Sequence, residues 1–505
     1  MVNGVEGLGD EASKLALYRT EDGQRGVLCV APVAAGERLV RVPLSLGLPD
    51  QWLEADGPEL FEGATWGVRL AAKLLREVKR GDASPRAPWF RVLPEGVGAP
   101  YFFRFDEVRE IQYGPMREEL DRYGWLVADG YRQAGGGEGG CEAMGGASKE
   151  EFEWAMALVH SRSFGLASEK GGIQTRMLLP FIDCFNHSGD QGFYTREAEV
   201  PVQSAQVFWE LKGPDNEDND TGRWCMDVLS DAPVAGNEEA HLCYGDRSND
   251  DFFLHYGFVP LHNPHDDVIL FRDVEGAIEW FTAKFLLGLD GAARAARADA
   301  ARAAVGATVA AIEEAGDGGY VEGVKDLKVL CGARTDARLT AAFAGLLGAK
   351  LQEDFVLADE TSEADWDSLV LTTALNEEHA EGADRAVAAR CQEILDGFPT
   401  TLLQDLALLA GDLAFTDPNT EWARLSPAQQ AELGEQLHFA LLLAHFSGGE
   451  RPAGFEVPEV TWTENLYKAV AYRAHKKLIL TDAVAKLGGA AEAEAKAEGT
   501  VNGGG

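Results

Sequence analysis

The chain has 505 residues, of which 46% are hydrophobic, and its 83 acidic residues outnumber its 45 basic ones, giving a net charge of −38. This length accommodates two or three domains, and an acidic surface repels phosphate, so we expect no direct binding to nucleic acid. No window of the sequence holds the ~20 uninterrupted apolar residues that a membrane helix needs, so we expect no membrane association.

The seven cysteines are an odd number and show neither CxxC nor CxC spacing. This pattern argues against a disulfide framework and against a thiolate zinc site, so no metal is expected. The N-terminal sequence lacks the basic and apolar blocks of a signal peptide, and it is acidic where a transit peptide is rich in arginine. We therefore expect a soluble intracellular protein of the cytoplasm, chloroplast or nucleus.

The first quarter of the chain has a mixed pattern. Residues 24–48 contain a short apolar run and an alternating segment, which together predict β-strands. In residues 65–80, apolar side chains recur every four positions, and this spacing predicts an amphipathic helix. The Gly-rich segment at 134–147 predicts a loop, because it cannot hold regular structure.

A second helix is predicted directly after this loop. Ser148 stands three residues before Glu151, which is the spacing of a capping box at a helix start, and the helix is expected to end near Arg162. An apolar run at 177–188 ends in polar residues, and residues 248–258 have the capping residues of a short helix. The first half of the chain is therefore expected to be mixed, with many short strands.

The second half of the chain has a helical pattern from about residue 270. Residues 283–315 are rich in alanine, Thr401 begins a capped segment, and apolar residues at helical spacing follow Leu466. The shift in composition near 262–275 predicts a domain boundary. The tail after 487 has too little apolar surface to fold and is expected to be disordered.

Three segments in order carry a family resemblance, namely LVHSRSFG at 158–165, LLPFIDCFNHS at 178–188 and LCYGDRSNDDFFLHYGFV at 242–259. Together they resemble the SET-domain lysine methyltransferases of the group typified by the plant Rubisco large-subunit methyltransferase. The segment DGQRGVLCVAPVAAGERLVRVPLSLGL also resembles the opening strands of that family. Near the end, RCQEILDGFPTTLLQDLALL and AVAYRAHKKLIL resemble its Rubisco LSMT substrate-binding domain.

The resemblance implies an α+β fold with a β-rich SET core followed by an all-α C-terminal domain. It divides the chain into a SET domain at 15–262 with a helical insertion near 60–160, a helical substrate-binding domain at 270–487 and a disordered tail at 488–505. In this family a late strand segment threads through a loop. That topology implies that Asn186 and His187 lie beside Tyr244.

The resemblance also implies that the methyl donor is S-adenosyl-L-methionine. The donor-binding positions that match the family are Gly23, Gln24, Arg25, Arg162, Asp183, Cys184, Phe185, Asn186, His187, Tyr256, Gly257 and Phe258. The guanidinium of Arg162 suits the donor carboxylate, because its fork of N–H groups matches two carboxylate oxygens. The family's front loop usually reads Glu-Gly-aromatic/aliphatic-Gly, whereas this chain has Gly23-Gln24-Arg25-Gly26. Because the resemblance implies that the donor contacts there are largely to the backbone, donor binding is expected to survive this difference.

The acceptor side of the site is assigned in the same way. Tyr244 matches the catalytic tyrosine, and the substrate-binding positions are Phe164, Tyr244, Tyr256 and Phe258. Lysine has a free pKa of about 10.4, so desolvation in an apolar channel is needed to favour the reactive neutral amine. Aromatic walls also tolerate the methylated cation that forms. Taken singly, these residues also fit a surface arginine, a strand-end tyrosine or core packing, so the assignment rests on the ordered set.

Two other functions stay open at this point. Relatives that methylate histidine carry an amide side chain two residues after the arginine, whereas this chain has Phe164 there and Ile182 in place of a bulkier aromatic. A SET-fold interaction protein without catalysis is the second alternative, and the presence of Tyr244, Asn186 and Arg162 speaks against it. The expected partner is a protein bearing a target lysine, bound by a monomer. The acidic surface attracts a basic partner, or it serves only solubility.

Overall fold

The structure is a computed structural model that describes residues 13–19, 25–51, 63–137, 141–167, 173–189, 205–216, 219, 221–260, 263–312, 325–348, 377–402, 404–405, 408–409 and 463–488. The chain forms two compact units. The first unit takes Met1–Arg104 and Met116–Pro260, and the second takes Phe105–Pro115 and Leu261–Gly505.

The described strands are short. In chain order they are β1 (Leu15–Arg19), β2 (Arg25–Cys29), β3 (Arg38–Pro43), β4 (Leu48–Pro49), β5 (Ser163–Ala167), β6 (Ile173–Leu178), β7 (Asn186–His187), β8 (Val207–Lys212), β9 (Cys225–Ser230), β10 (Glu238–Glu239), β11 (His241–Leu242), β12 (Asp267–Phe271), β13 (Leu327–Leu330) and β14 (Arg334–Thr335).

The described helices differ widely in length. They are α1 (Trp66–Lys79), α2 (Ala87–Phe90), α3 (Phe105–Arg109), α4 (Gly114–Gln133), α5 (Lys149–Arg162), α6 (Asn249–Asp251), α7 (Val274–Phe285), α8 (Gly291–Ile312), α9 (Ala337–Leu347), α10 (Glu377–Asp396) and α11 (Glu464–Gly488). Among the helices described, none combines the length and the apolar character needed to cross a membrane.

The described strands of the first unit form three small sheets. Their strand orders are β1-β2-β10, β3-β9-β8-β11-β7 and β4-β6-β5. The inward-facing residues of these strands build one hydrophobic core, in which Val27, Val42 and Val228 are fully buried. Burial of such side chains is the main favourable contribution to folding.

A short late segment joins two of these sheets. Strand β10 pairs with β2, and after Ala240 strand β11 lies between β8 and β7. Strand β11 runs parallel to β7, with His241 opposite Asn186 and Leu242 opposite His187. Tyr244 follows β11 by two residues, so the structure places it beside Asn186 and His187, as the sequence predicts.

Helix α5 begins with the predicted capping box. The hydroxyl of Ser148 accepts a hydrogen bond from the Glu151 N–H at 3.3 Å, and the Glu151 carboxylate accepts one from the Ser148 N–H at 2.8 Å. The helix ends at Arg162, and β5 follows without a loop. Arg162 and Phe164 therefore lie at a helix–strand junction whose position both elements hold.

The chain turns sharply between β6 and β7. Phe181 has φ 71° and ψ −46°, a conformation that costs energy for any residue with a side chain. Phe181 is buried and packs edge-on against Phe185, with ring centroids 5.9 Å apart. This packing offsets the cost and fixes the turn Ile182–Cys184 that precedes Asn186.

The second unit is mostly helical, as predicted, and the overall mixed fold with a helical C-terminal part is confirmed. The expectation of helices alone needs one correction, because β12, β13 and β14 form a three-stranded antiparallel sheet. The short apolar run Asp267–Phe271 pairs with Leu327–Leu330. Periodicity alone does not separate such short buried strands from helix segments.

Capping at Thr401 is also confirmed in the second unit. The Gln404 side chain accepts a hydrogen bond from the Thr401 N–H at 2.8 Å, and the Thr401 hydroxyl accepts one from the Gln404 N–H at 3.2 Å. Helix α11 fits the apolar spacing that follows Leu466. The predicted tail lies outside the described residues, apart from Gly488.

Candidate active site

The first unit contains two cavities that share a wall. The N-terminal cavity, of about 300 Å³, is lined by Leu17, Tyr18, Arg19, Arg25, Gly26, Arg91, Val92, Leu93, Pro94, Glu95, Gly96 and Cys184. The tyrosine cavity, of about 310 Å³, is lined by Ser161, Arg162, Ser163, Phe164, Gly165, Arg176, Ile182, Asp183, Phe185, Trp209, Leu242, Cys243, Tyr244, Gly245, Arg247 and Tyr256. Cys184 lines the first cavity, and its neighbours Asp183 and Phe185 line the second. Residues 183–185 therefore separate the two cavities.

Arg162 is held against this wall. Its Nη1 donates a hydrogen bond to the Asp183 carbonyl oxygen and lies 3.9 Å from the Asp183 carboxylate. Burial raises the pKa of the Asp183 carboxyl, and the guanidinium groups of Arg162 and Arg25 oppose only part of this effect. The predicted donor-binding residues Arg162 and Asp183 are thus neighbours in the structure.

Arg25 and Arg162 form a pair of like charges. Burial lowers the pKa of Arg25, and repulsion from Arg162 adds to the effect. Among the described residues, Arg25 Nη2 and Arg162 Nε have no hydrogen-bond partner although both atoms are buried. Buried N–H groups without a partner are rare and costly. Two such groups on neighbouring cations fit an anionic ligand such as a carboxylate.

Asn186 connects the front strands to the late segment. Its amide nitrogen donates hydrogen bonds to the Arg25 carbonyl oxygen and to Glu239 Oε1, both at 2.7 Å. The Tyr18 hydroxyl donates to Glu239 Oε2 at 2.8 Å. A Cβ on Gly26 would stand 2.1 Å from Glu239 Oε1. Only glycine leaves room for this arrangement.

Glu239 is a residue of the site whose role the sequence did not reveal. Burial alone would raise its pKa, but hydrogen bonds from His241, Tyr18 and Asn186 outweigh burial and lower it. The ionised carboxylate therefore holds Asn186 in place. The cramped Gly26 is the one sequence signal that could have pointed to this contact, since a glycine often marks a close approach.

Tyr244 lies at the wall with its hydroxyl directed at the backbone. The hydroxyl donates a hydrogen bond to the Phe185 carbonyl oxygen at 2.6 Å, and the Tyr244 N–H donates to His187 Nδ1 at 3.2 Å. Burial raises the pKa of Tyr244, so the phenol stays protonated near neutral pH. Burial lowers the pKa of His187 to about 4, so its ring is neutral and able to accept.

Aromatic rings surround Tyr244. Tyr256 stacks on it with ring centroids 5.2 Å apart, and Phe258 lies edge-on at 6.5 Å and also contacts His187 at 5.9 Å. Phe164 lines the same cavity and meets Trp209 edge-on at 6.0 Å. Trp209 was not singled out from the sequence, because nothing near it marks its approach to Phe164.

Gly257 lies between two residues of this aromatic group, Tyr256 and Phe258. It ends the π-helical turn Phe252–Tyr256 with φ 76°, in the left-handed region. A Cβ at this position would lie 2.4 Å from the backbone carbon of Gly98. Gly257 is thus required both by its dihedral angle and by the available space, and it orients Tyr256 and Phe258.

Two further arginines of the tyrosine cavity were not predicted. The Arg176 guanidinium lies 4.5 Å above the Trp66 ring, and that of Arg247 lies 5.8 Å from the Tyr256 ring. Arg247 Nε also donates to the Tyr244 carbonyl oxygen at 3.0 Å. Their sequence positions give no indication that they share a cavity.

Three predictions concern the donor contacts, metal binding and the cysteines. Gly23 and Gln24, two of the expected donor contacts, lie outside the described residues. In the part of the chain that is described, no group of three or more His, Cys, Asp or Glu side chains is placed to hold a metal ion. All seven cysteines are described, and each is a free thiol.

Curated proteins similar to this chain match parts of it. Human SET domain-containing protein 4 is 29% identical over 126 residues, which cover 24% of this chain and 24% of that protein. Drosophila melanogaster actin-histidine N-methyltransferase is 25% identical over 287 residues, covering 52% of this chain and 48% of that protein. The chain thus spans about a quarter to a half of the length of these relatives. No family model matches it.

Solved structures match over almost the whole chain. The crystal structure of the SET domain of LSMT bound to lysine and AdoHcy gives a TM-score of 0.56 at 15% identity, covering 95% of this chain and 88% of that one. Rubisco LSMT bound to AdoMet gives a TM-score of 0.53 at the same identity and coverage. This likeness establishes the fold. The chain has the SET-domain methyltransferase fold.

Proposed function

We propose that this chain is an S-adenosylmethionine-dependent protein methyltransferase whose acceptor is the side-chain amine of a lysine. One observation carries the proposal. The Tyr244 hydroxyl is fixed on a wall that separates a cavity bearing unpartnered guanidinium nitrogen from a cavity lined by aromatic rings. Support also comes from the solved neighbours, which were bound to AdoMet or to lysine with AdoHcy.

The residues of the N-terminal cavity and its wall fit the donor. The guanidinium groups of Arg25 and Arg162 would hold the donor carboxylate, which would supply the missing hydrogen-bond acceptors. Asn186 and the His187 backbone would hold the amino-acid and adenine ends. When bound, the donor supplies an electrophilic methyl group on a sulfonium. The other proposed donor contacts are Gly23, Gln24, Asp183, Cys184, Phe185, Tyr256, Gly257 and Phe258.

The shared wall suits an in-line transfer. In such a transfer the amine nitrogen would form a bond to the methyl carbon on the side opposite the sulfur, while the carbon–sulfur bond breaks, and the protein gains rate by aligning these three atoms. The Tyr244 hydroxyl donates a hydrogen bond to the Phe185 carbonyl oxygen. The lone pairs of the Tyr244 oxygen therefore remain available to orient an incoming amine. Because burial raises the pKa of Tyr244, the phenol acts as an orienting group and not as a phenolate base.

The acceptor amine must therefore lose its proton before transfer. A lysine amine has a free pKa of about 10.4, and removal from water lowers it. Phe164, Trp209 and Tyr256 present apolar surface in the tyrosine cavity. The guanidinium charges of Arg176 and Arg247 further disfavour the ammonium form. Both effects favour the neutral amine that can attack.

Lysine is favoured over histidine by the lining of the tyrosine cavity. Its described lining residues include no asparagine or glutamine that could hydrogen-bond an imidazole ring. Phe164 and Ile182 occupy the positions at which histidine-directed relatives carry polar or larger groups. Histidine stays the second candidate, since the relatives of this chain include actin-histidine N-methyltransferases of Drosophila melanogaster and human.

We also propose that the second unit binds the protein substrate. The similarity to the LSMT structures extends over 95% of this chain and therefore includes much of that unit. The segment RCQEILDGFPTTLLQDLALL, which begins in α10, and the segment AVAYRAHKKLIL in α11 resemble in sequence the helical substrate-binding domain of the family.

Incubation with isotope-labelled S-adenosylmethionine and a cell extract, followed by mass spectrometry of the labelled protein, tests the proposal. We expect label on a lysine of one or a few proteins, incorporated about 10² to 10³ times more slowly by the Tyr244→Phe variant. Label on histidine would contradict the proposed acceptor. An absence of labelled protein with every extract tested would contradict the activity itself.

A further inference from the structure

The tyrosine cavity is positively charged although the chain as a whole is strongly acidic. Among its described lining residues, those with acidic or basic side chains are Arg162, Arg176, Arg247 and Asp183. Asp183 faces Arg162 at 3.9 Å. Arg176 therefore has no counter-charge among the lining residues described, whereas Arg247 faces Asp251, which does not line the cavity.

Arg176 lies in β6 with its guanidinium stacked on Trp66 at 4.5 Å. No described carboxylate comes within 4.0 Å of this guanidinium. The Asp50 carboxylate opposes the lowering of the Arg176 pKa by burial, but it already pairs with Arg69 at 2.7 Å. Asp50 also accepts hydrogen bonds at 2.8 Å from the Thr175 hydroxyl and from the backbone N–H of Arg176. The Asp50 carboxylate therefore makes these contacts with groups other than the Arg176 guanidinium.

Arg247 is held on the same cavity by the backbone of the proposed catalytic residue. Its Nε donates to the Tyr244 carbonyl oxygen, and the exposed Asp251 carboxylate lies 3.9 Å from its Nη1. After burial, repulsion from Arg247 is the next cause that lowers the pKa of Arg176. An anion between the two guanidinium groups would relieve this repulsion.

A guanidinium stacked on an aromatic face keeps the N–H groups of its edge available. Such an edge matches the two oxygens of a carboxylate, which is the geometry of bidentate pairs. The tyrosine cavity, at about 310 Å³, is also within the size range of ligand pockets. An acceptor lysine and one neighbouring acidic side chain would fit.

We propose that Arg176, assisted by Arg247, is a specificity-determining residue that binds a carboxylate of the substrate within a few residues of the target lysine. This inference rests on the proposed methyltransferase function. Repulsion from the acidic surface does not prevent it, because exposed charges are screened beyond about 8 Å at physiological ionic strength. The substrate segment that this contact favours carries one acidic residue close to the target lysine, and its other residues are neutral or basic.

Synthetic peptides with one lysine in a glycine–serine–alanine background test the inference. In each peptide, one of the three positions before or after the lysine holds either glutamate or glutamine. Binding to the full chain saturated with S-adenosylhomocysteine is measured by calorimetry. We expect glutamate at one or two positions to tighten binding roughly tenfold over glutamine, as one charge-assisted pair does.

The variants separate this contact from a general effect of charge. Arg176→Gln is expected to remove the preference for glutamate, whereas Arg176→Lys keeps part of it, because the charge remains without the fork. Arg132→Gln is the matched control. Arg132 is exposed on α4, does not line the cavity and pairs with Asp129, so the preference should stay unchanged.

Equal binding of glutamate and glutamine peptides, or no peptide binding at all, would overturn the inference. A preference that survives in both Arg176 variants would overturn it as well. Titration with S-adenosylmethionine distinguishes failure of the carboxylate contact from failure of the proposed function. If the donor binds and the peptides show no preference, only the carboxylate contact fails, whereas loss of donor binding in the wild type removes the proposed function. If Arg176→Gln fails to fold, Arg176→Lys decides, because a reduced preference supports the inference and an undiminished preference overturns it.

Discussion

The Tyr244 hydroxyl is hydrogen-bonded to a backbone carbonyl and not to a basic side chain, and this decides what the hydroxyl can do. The hydrogen bond to the Phe185 carbonyl and the raised pKa keep the phenol neutral. A neutral hydroxyl can orient a nucleophile and can make weak contacts with a methyl group. In the proposed mechanism its contribution is therefore alignment of the reacting atoms.

The Tyr244→Phe variant tests this role. The ring keeps its stacking on Tyr256, so binding of S-adenosylmethionine should change little, while the single-turnover rate should fall by about 10² to 10³, the range of a lost polar group at a reacting centre. Calorimetry and rapid-quench assays measure the two quantities. Tyr131→Phe, whose hydroxyl contacts the Ala147 carbonyl, is the control and should retain full rate. Full turnover in Tyr244→Phe would exclude the assigned role.

The Phe164→Asn variant tests the choice of acceptor. Phe164 presents an apolar edge to the tyrosine cavity, and an amide there would supply the hydrogen-bond partner that an imidazole needs. We expect the ratio of lysine to histidine methylation on paired peptides to fall by about tenfold, the effect of roughly 1.4 kcal/mol. Phe208→Asn, on the exposed face of the same region, is the control. An unchanged ratio in Phe164→Asn would mean that this position does not select the acceptor.

Site residues that belong to contiguous motifs could be predicted from the sequence, and the others could not. Arg162, Asn186 and Tyr244 stand in ordered segments whose resemblance assigns them. Glu239 and Trp209 reach the site only through long-range pairing, since Glu239 contacts Asn186 across 53 positions. No local pattern encodes such a pairing, so only the folded structure reveals it.

At the scale of elements, the turn from Phe252 to Gly257 decides how the aromatic group is oriented. Ser248 caps the start of α6, which runs directly into this turn, and the left-handed Gly257 ends the turn. Both ends were predicted from capping residues. The π-helical form of the turn was not predicted, because a widened turn leaves the same capping signals as an α-helix.

Comparison of Gly257→Ala with Gly36→Ala separates dihedral strain from crowding. Both glycines have nearly the same positive φ, 76° and 79°, but nothing lies within 4 Å of a Cβ built on Gly36. We expect Gly36→Ala to lower the free energy of unfolding by about 1 to 2 kcal/mol, the cost of the left-handed conformation. Gly257→Ala should cost clearly more, because its Cβ meets the Gly98 backbone. Denaturant titration measures both, and equal losses would contradict the crowding.

At the scale of the whole molecule, the order of strands followed by helices could be predicted, because composition and periodicity change along the chain. The small sheet β12–β14 was missed, because its strands are short apolar runs within a helical region. The positive charge of the tyrosine cavity was also hidden, since the net charge of −38 describes the whole chain and not one cavity. Local charge depends on which side chains the fold brings together.

The pH dependence of stability should reflect three buried histidines of the first unit. Burial lowers the pKa of His160 to about 3 and that of His187 to about 4, and burial also lowers that of His255. Between pH 6.5 and 4 the unfolded chain binds protons that the folded chain does not, so stability falls as the pH falls through this window.

Thermal unfolding from pH 8 to pH 5 measures this effect. We expect a nearly constant midpoint above pH 6.5 and a decline below it, with each histidine contributing up to about 2 kcal/mol at pH 5. His160→Phe keeps a ring against Trp66 and His255 and should make the decline shallower. An identical slope in the variant would show that His160 does not cause it.

Calorimetric titration of the wild-type chain with S-adenosylmethionine tests the central claim most directly. The unpartnered guanidinium nitrogens of Arg25 and Arg162 predict saturable binding at one site, weakened by at least about tenfold in Arg162→Ala, because a charge-assisted pair with the donor carboxylate is lost. An absence of detectable donor binding by the folded wild-type chain would contradict the account.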